Sequence, residues 1–499
     1  MQADRGACAQ MRAVDSFFAD RHADPAALRV CEGTSCALAG AAGLRSALAA
    51  SGPCRRIYCA GYCDRSPVAL LPDGRPVRLA RTAGGIERRE LESLPEIRSH
   101  GARAVVTERV ARGSFHELGA ARAAGAWAGL ERALARGPAW ALEELERSQE
   151  RGRGGGAFPT GTKWRAAATE PGPVKYAIAN GDEGDPGSFI DRVLLEADPH
   201  AVLAGLALCG LAIGAQHGIV YVRSEYPRAA ERVERAIAEA RGAGLLGARI
   251  LGTDFSFEVR VARGQGSYVC GEETALLEAL EGRRGEVRLR PPYPTTHGLH
   301  GRPTVVDNVE TLVNAAWIAR EGAGAYRALG TAESRGTKAL CLDAHFARPG
   351  IVEVEFGTPL ARVIEEAALG SPPRAVALGG PMGSIVARSE WDVPVCWEAM
   401  AARDISLGHG GIVALGEETD FRALVLSWLE FMADESCGKC APCAAGSARA
   451  LSLARAGERD RLLELLEVIS AASLCPFGQD LPKPVRALVE RFGALDQRP

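Results

Sequence analysis

The sequence predicts a multidomain α/β protein, and three observations carry that expectation. Its 499 residues exceed what one hydrophobic core organises, so three or four domains are expected. Across residues 105–330, short β-branched runs alternate with helical stretches, the pattern of βα units. Eight of the 14 cysteines fall in two groups, one near each end, where clustered thiols read as metal ligands rather than disulfides. The composition is globular, 47% hydrophobic and 24% charged, and the net charge of −3 gives no reason to expect nucleic acid or an anionic membrane as partner. Residues 1–20 carry Asp4, Arg5, Arg12 and Asp15 and no apolar core, unlike a secretory leader. Residues 201–215 are the most apolar stretch, too short to span a bilayer and expected as a buried core helix. No direct membrane insertion is expected, and the expected compartment is the cytoplasm.

In the first region, residues 1–100, a helix is expected at 11–22 and strands at 28–30 and 55–58. A cysteine pair follows each strand: Cys31 and Cys36 as C-x4-C, Cys59 and Cys63 as C-x3-C, with a helix at 38–50 between them. Four thiolates presented this way suit a [2Fe–2S] cluster. Zinc is the alternative metal, although its usual C-x2-C knuckles are missing; disulfides or inert thiols are the third reading. Cys8 and Cys54 are spare. Residues 105–150 read as helical, with Trp127 and Trp140 as core.

A glycine-rich stretch at 151–164, RGRGGGAFPTGTKW, then interrupts the regular pattern. Its five glycines let backbone N–H groups approach an anion, Lys163 adds positive charge, and Phe158 or Trp164 offers a flat surface. A phosphate-bearing, ring-containing cofactor fits. Gly152, Gly154 and Ala157 satisfy a dinucleotide-binding spacing, but a helix rather than a strand precedes them. Gly156 and Gly161 have Walker spacing, but Thr162 separates Gly161 from Lys163. A strand at 174–179 leads into Asn180, Asp182, Glu183 and Asp185, an acidic turn placed where α/β domains hold their ligands. Strands at 218–223 and 257–261 flank a helix at 228–241. Tyr268 and Gly271 then precede Glu272 and Glu273, which open a helix at its positive end. Arg290 and Tyr293 set a cation and a ring in a proline-rich loop, and Asn308 and Thr311 lie where a strand turns into a helix. His297 and His300 are expected on the surface. Residues 337–415 look like a small α+β region with no chemical signature. From 421 on the chain is helical and carries Cys437, Cys440 and Cys443 as C-x2-C-x2-C with a remote Cys475-Pro476, a strong [4Fe–4S] pattern.

With these motifs in their order, the chain resembles the flavoprotein subunit of the NADH-oxidising module shared by respiratory complex I, NAD-linked hydrogenases and NAD-dependent formate dehydrogenases, over about residues 105–490. Residues 25–80 are similar to the thioredoxin-like [2Fe–2S] domain of that module's companion subunit. The resemblance implies a thioredoxin-like domain at 1–100 and a Rossmann-like FMN- and NADH-binding domain at 105–330. A small ubiquitin-like domain at 335–418 and a helical [4Fe–4S] domain at 420–499 complete it. It implies FMN on Gly152, Gly154, Lys163, Asn180, Asp182, Tyr268, Gly271, Glu272, Asn308 and Thr311. NADH is implied near Phe158 and Tyr293, with Glu183, Asp185, Glu273 and Arg290 around it, and Glu183 and Glu273 at the reacting centre. The implied activity exchanges hydride between NAD(H) and FMN and passes single electrons through the Cys437 cluster to a metal-containing catalytic partner subunit. The fused N-terminal cluster region points to formate dehydrogenase, with hydrogenase and complex I as alternatives; a non-catalytic electron carrier is the competing class. The sequence departs from the family at Ala157, where the order of glycine and alanine is exchanged, and at Asp185, Arg290, Tyr293 and Asp307.

Overall fold

The computed structural model describes residues 17–101 and 103–496, so Cys8 and the first half of the helix expected at 11–22 lie outside the described residues, while its second half holds the short 3-10 turn Ala19–Arg21. Their strands form three sheets.

The first sheet has the order Cys54–Ile57, Leu28–Cys31, Val68–Leu70, Pro76–Thr82, Gly85–Glu90. Its first two strands are parallel and the remaining pairs antiparallel. The helix expected at 38–50 is two short ones, Thr34–Leu38 and Ala41–Ala49, because Gly40 between them takes a left-handed φ of 77°. Cys36 therefore sits on a helix rather than on a loop.

The second sheet is wholly parallel, with the order Thr304–Asn308, Tyr176–Gly181, His217–Val222, Glu258–Arg263. Three strands advance in one direction, and the fourth returns to the far side of the first. The chain thus reverses between Tyr176–Gly181 and Thr304–Asn308, and such a sheet opens its ligand crevice at the carboxyl ends of those two strands. The helix Pro199–Ile213 is apolar on every side and buried along its whole length, as expected of a core helix. Among the described residues no single helix is long and apolar enough to cross a membrane.

The third sheet has the order Ser384–Ala387, Ala375–Leu378, Gly411–Leu415, Thr337–Leu342, Gly350–Glu355, Ile97–His100. Residues 97–100, grouped with the N-terminal region on sequence grounds, are its edge strand, parallel to Gly350–Glu355. The buried Glu353 carboxylate then accepts the N–H groups of Val105, Val106 and Thr107 at 2.8–3.0 Å, which fixes the chain's path into the central region. The helices Phe421–Glu435, Ala441–Ala456, Arg459–Ala472, Pro476–Asp480 and Pro482–Phe492 complete the chain.

The first region is anchored to all the others by buried polar contacts. Arg192 Nε donates to Gly61 O at 2.6 Å, and its guanidinium lies 3.8 Å from the Tyr62 ring centroid. Ser35 Oγ donates to Asp343 at 2.8 Å, and Trp428 Nε1 to Thr34 Oγ1 at 3.0 Å. Buried polar groups hold such positions because each loses much more unpaired than it gains when paired.

Candidate functional site: a cleft at the sheet reversal and two thiol clusters

The glycine loop closes on itself and against the sheet. The Gly152 N–H donates to Phe158 O at 2.9 Å, and Arg151 Nε to Ala157 O at 2.8 Å. The Arg153 N–H donates to Thr311 Oγ1 at 2.8 Å. A Cβ on Gly154 would stand 3.1 Å from Asn308 Cβ, so this position lets the loop lie directly against the end of its strand. The helix Thr160–Thr169 starts at Pro159 without a side-chain cap; the Thr160 N–H donates to Glu150 O at 2.9 Å, and the next turn borders the cleft at Thr162 and Lys163. Phe158, 53% exposed, and Tyr293, 57% exposed, present free ring faces. Together with Lys163, Thr311, Glu273 and Arg290 they surround a cleft of about 700 Å³.

Lys163 donates from Nζ to Val306 O at 2.9 Å, with Asp307 at 3.4 Å and Glu273 at 3.5 Å. Burial opposes its charge, but the two carboxylates outweigh that and raise its pKa. Asp307, a departure from the family pattern, is thus the counter-ion of the loop's cation. It also accepts the Trp164 indole N–H at 2.6 Å. Trp164 is fully buried, which leaves Phe158 as the flat surface of the loop.

The exchanged alanine has a structural consequence. Ala157 takes a φ of 49°, whereas Gly156 has no positive φ and open space around its Cα. The side chain is therefore carried at the strained position of the pair. A left-handed residue other than glycine costs about 1–2 kcal/mol, and the added freedom of an unfolded glycine returns about 0.4–1 kcal/mol of that. Ala157→Gly is therefore expected to stabilise the loop by up to about 1 kcal/mol, read from urea unfolding followed by loop-region proteolysis; a destabilised variant contradicts it.

A second cavity of about 300 Å³ adjoins the first, and Gly154, Asn180, Glu272, Asn308 and Pro476 line both. Asn180 donates to Gly271 O at 2.9 Å and accepts the Asp182 N–H at 3.1 Å. Burial pushes the Asp182 carboxyl up to about 8, against the opposing pull of Arg223 at 3.6 Å. The same cause lifts Glu183 to about 7 and raises Asp185, which accepts a hydrogen bond from Tyr268 OH. Carboxyls poised this way can donate as well as accept. Glu183 also receives the N–H groups of Asp191 and Arg192 at 3.2 and 3.1 Å, so it caps the helix Ile190–Ala197 while lining the cavity. Glu272 caps the helix Glu273–Leu280 through the N–H groups of Thr274 and Ala275. Its Oε1 lies 3.1 Å from Arg290 but has no well-aligned hydrogen bond, leaving a buried acceptor for a ligand. Arg290 pairs with Glu273 at 2.9 Å. The orphaned Glu272 acceptor, the uncapped helix and the paired cavities fit a nucleotide with a flat ring system.

Both thiol groups converge. Cys31, Cys36, Cys59 and Cys63 are buried and free, with Cys31 in contact with Cys36 and the Cys59 and Cys63 sulfurs 3.5 Å apart. Cys437, Cys440, Cys443 and Cys475 meet at the start of two helices, Cys440 and Cys475 each at the N-cap position. Burial pushes Cys443 and Cys475 up to about 11, so neutral thiols are favoured until a cationic group holds them as thiolates. Four convergent thiols, three of them buried and Cys440 half-buried, suit an iron–sulfur cluster. Cys475 and Pro476 also line the inner cavity, which puts the C-terminal cluster site against the nucleotide cleft.

The structure brings every expected cleft residue to one place and adds some that sequence reasoning missed. Residues 337–415, expected to carry no chemistry, supply Met382, Ser406 and His409 to the inner cavity. Asp191, from the helix capped by Glu183, joins them. The only local signal was the isolated Gly408-His409-Gly410 triplet. His297 and His300 are exposed, as expected.

The fold and site define a flavin- and iron–sulfur-binding oxidoreductase component. Residues 145–317 match the family described as the Nuo51 FMN-binding domain, and residues 423–495 match the NADH-ubiquinone oxidoreductase-F iron-sulfur binding region. The chain is 41% identical to the NADP-reducing hydrogenase subunit HndC of Solidesulfovibrio fructosivorans, over 73% of this chain and 76% of that one. It is 39% identical to an NADH-quinone oxidoreductase subunit of Rhizobium meliloti (strain 1021), over 76% of this chain and 93% of that one. A crystal structure of NAD+-reducing [NiFe]-hydrogenase in the H2-reduced state superposes with a TM-score of 0.84 at 31% identity, covering 99% of this chain and 88% of that one. The chain belongs to the flavoprotein family whose members serve NADH-quinone oxidoreductases and NAD-reducing hydrogenases.

Proposed function

We propose that this chain is the NADH-oxidising component of a larger enzyme, exchanging hydride between NAD(H) and FMN and delivering electrons singly to an iron–sulfur-containing partner subunit. The observation that carries this reading is the shared wall, because Cys475 and Pro476 border the same cavity as Asn180, Asp182 and Glu272. A bound flavin supplies the conversion of a two-electron hydride into single electrons that clusters can accept. The chain's own contribution is positioning. Lys163 and the amides of the glycine loop hold the phosphate end, Asn180, Asp182 and Glu272 hold the polyol and ring edges, and Phe158 and Tyr293 cover a nicotinamide nucleotide. Arg290, Glu183, Asp185 and Glu273 orient that nucleotide, which is the main lever for hydride transfer.

In the same reading, the N-terminal thiols hold a [2Fe–2S] cluster on a thioredoxin-like domain, and a ubiquitin-like domain spans 335–418. Three antiparallel pairings beside one parallel pair in the first sheet support the former assignment. The fused N-terminal region, which pointed to formate dehydrogenase, no longer separates the candidates, since the hydrogenase chain is matched over 99% of this sequence. Nickel in the isolated native complex supports a hydrogenase partner, and molybdenum or tungsten a formate dehydrogenase.

The decisive experiment is direct. Full-length protein reconstituted anaerobically with FMN, iron and sulfide is expected to show flavin and iron–sulfur absorbance that bleaches on adding NADH. A colourless product, or a spectrum indifferent to NADH and NADPH, overturns the assignment.

A further inference from the structure

His409 reaches the inner cavity from the third sheet, in the turn before Gly411–Leu415, and approaches three residues, one each from a strand, a helix and a turn. Asn308 Nδ2 lies 3.2 Å from His409 Nε2 and 2.6 Å from Asp191 Oδ2. Asn308 Oδ1 already accepts the Glu310 N–H at 2.9 Å, which fixes the amide's orientation. The amide nitrogen can only donate, so Nε2 is the acceptor and the ring proton sits on Nδ1. That proton faces Glu183 Oε1 at 3.5 Å. One neutral imidazole therefore spans the crevice from the end of the strand Thr304–Asn308 to the turn after Tyr176–Gly181. Burial, together with the nearby Lys338, lowers the His409 pKa well below its usual value, and burial holds the neighbouring Asp191 protonated to unusually high pH, both consistent with this neutral arrangement.

We propose that His409 is a positioning residue of the flavin site, its two ring nitrogens setting the Asn308 amide and the Glu183 carboxylate against the bound ring system. This rests on the flavin reading above. Glu183, Asp191 and His409 are also close enough to ligate one ion. The imidazole, however, turns opposite nitrogens to the two carboxylates, Nδ1 to Glu183 and Nε2 to Asp191 at 3.4 Å, which suits a hydrogen-bonded bridge better than convergence on one point.

The test compares FMN-loaded full-length wild type, His409→Leu and His409→Gln. The leucine variant removes both polar contacts, while glutamine restores an acceptor near the Nε2 position. The glycine loop and Lys163 are untouched, so His409→Leu is expected to keep its FMN. Its flavin absorbance and circular dichroism bands should shift, and kcat for NADH oxidation should fall about tenfold with a smaller change in KM, within the cost of a slightly misplaced reacting group. His409→Gln is expected to regain most of the lost kcat and the wild-type flavin bands. Wild-type kcat and spectrum in His409→Leu overturn the proposal. So does a glutamine variant as impaired as leucine, since shape alone would then explain the loss. One tightly held metal ion per wild-type chain, lost in His409→Leu, overturns it in favour of a ligand role. Failure of the wild type itself to bind FMN counts against the flavin reading and is scored separately.

Discussion

Cys475→Ala is expected to strip the C-terminal cluster, lowering iron by about four atoms per chain while leaving FMN content near that of the wild type. Losing an outer-shell partner of a metal ligand already costs about 10–100-fold in metal affinity, and Cys475 is a ligand candidate itself. It enters from the N-cap of Pro476–Asp480, a different helix from Ala441–Ala456, and meets the other three cysteines there. NADH-driven reduction of a one-electron protein acceptor should then collapse, whereas flavin bleaching by NADH should persist. Cys54→Ala, a half-buried thiol outside both groups, is the control and should keep its iron. Unchanged iron in Cys475→Ala, or equal losses in both variants, refutes the ligand assignment.

Lys163→Ala carries the second large effect. The ammonium lines the same cleft as the glycine loop, and its two carboxylate neighbours keep it charged. A hydrogen bond to a charged group is worth about 1.5–3 kcal/mol, so the FMN dissociation constant should rise about 10–100-fold. Among the described residues the variant leaves Asp307 the Trp164 indole but no cation, so part of any loss reflects a buried carboxylate without its counter-ion. Lys163→Ala/Asp307→Asn separates the two contributions. If the double variant still binds FMN weakly, the lysine contacts the ligand; if it recovers wild-type affinity, Lys163 serves only to neutralise Asp307. Fluorescence titration of FMN against flavin-free protein measures both.

The candidate site was legible where its chemistry lies in contiguous sequence. The glycine loop, the acidic turn, the pair Glu272 and Glu273 and the C-terminal cysteine pattern could be read because backbone freedom, helix capping and ligand spacing are local properties. The alternation of strands and helices over the central region was legible for a similar reason, since hydrophobic period reports which face of each element is buried, whereas the strands Val68–Leu70, Pro76–Thr82 and Gly85–Glu90 were not read. Other features resisted that approach. Trp164 looked like a surface for stacking, but the indole turns inward to Asp307, 143 positions away. The third sheet looked chemically silent because its contributions are scattered single residues, Met382, Ser406 and a histidine between glycines. Its edge strand, Ile97–His100, was grouped with the wrong region because a parallel pairing with a strand 250 residues later leaves no mark in the local pattern.

By itself, then, the sequence determined the kinds of groups this protein could hold: thiolate-bound clusters, an anion at a glycine loop, and polar contacts for a flat nucleotide ring. Tertiary structure alone decided that these sites share walls. It set Cys475 against the inner cavity, gave Lys163 its counter-ion, and carried His409 across to Asn308 and Glu183. The physical reason is that residue chemistry and backbone conformation are encoded within a few positions of the chain. The distance between two sites is set instead by the packing of whole sheets and helices, to which residues hundreds of positions apart contribute together.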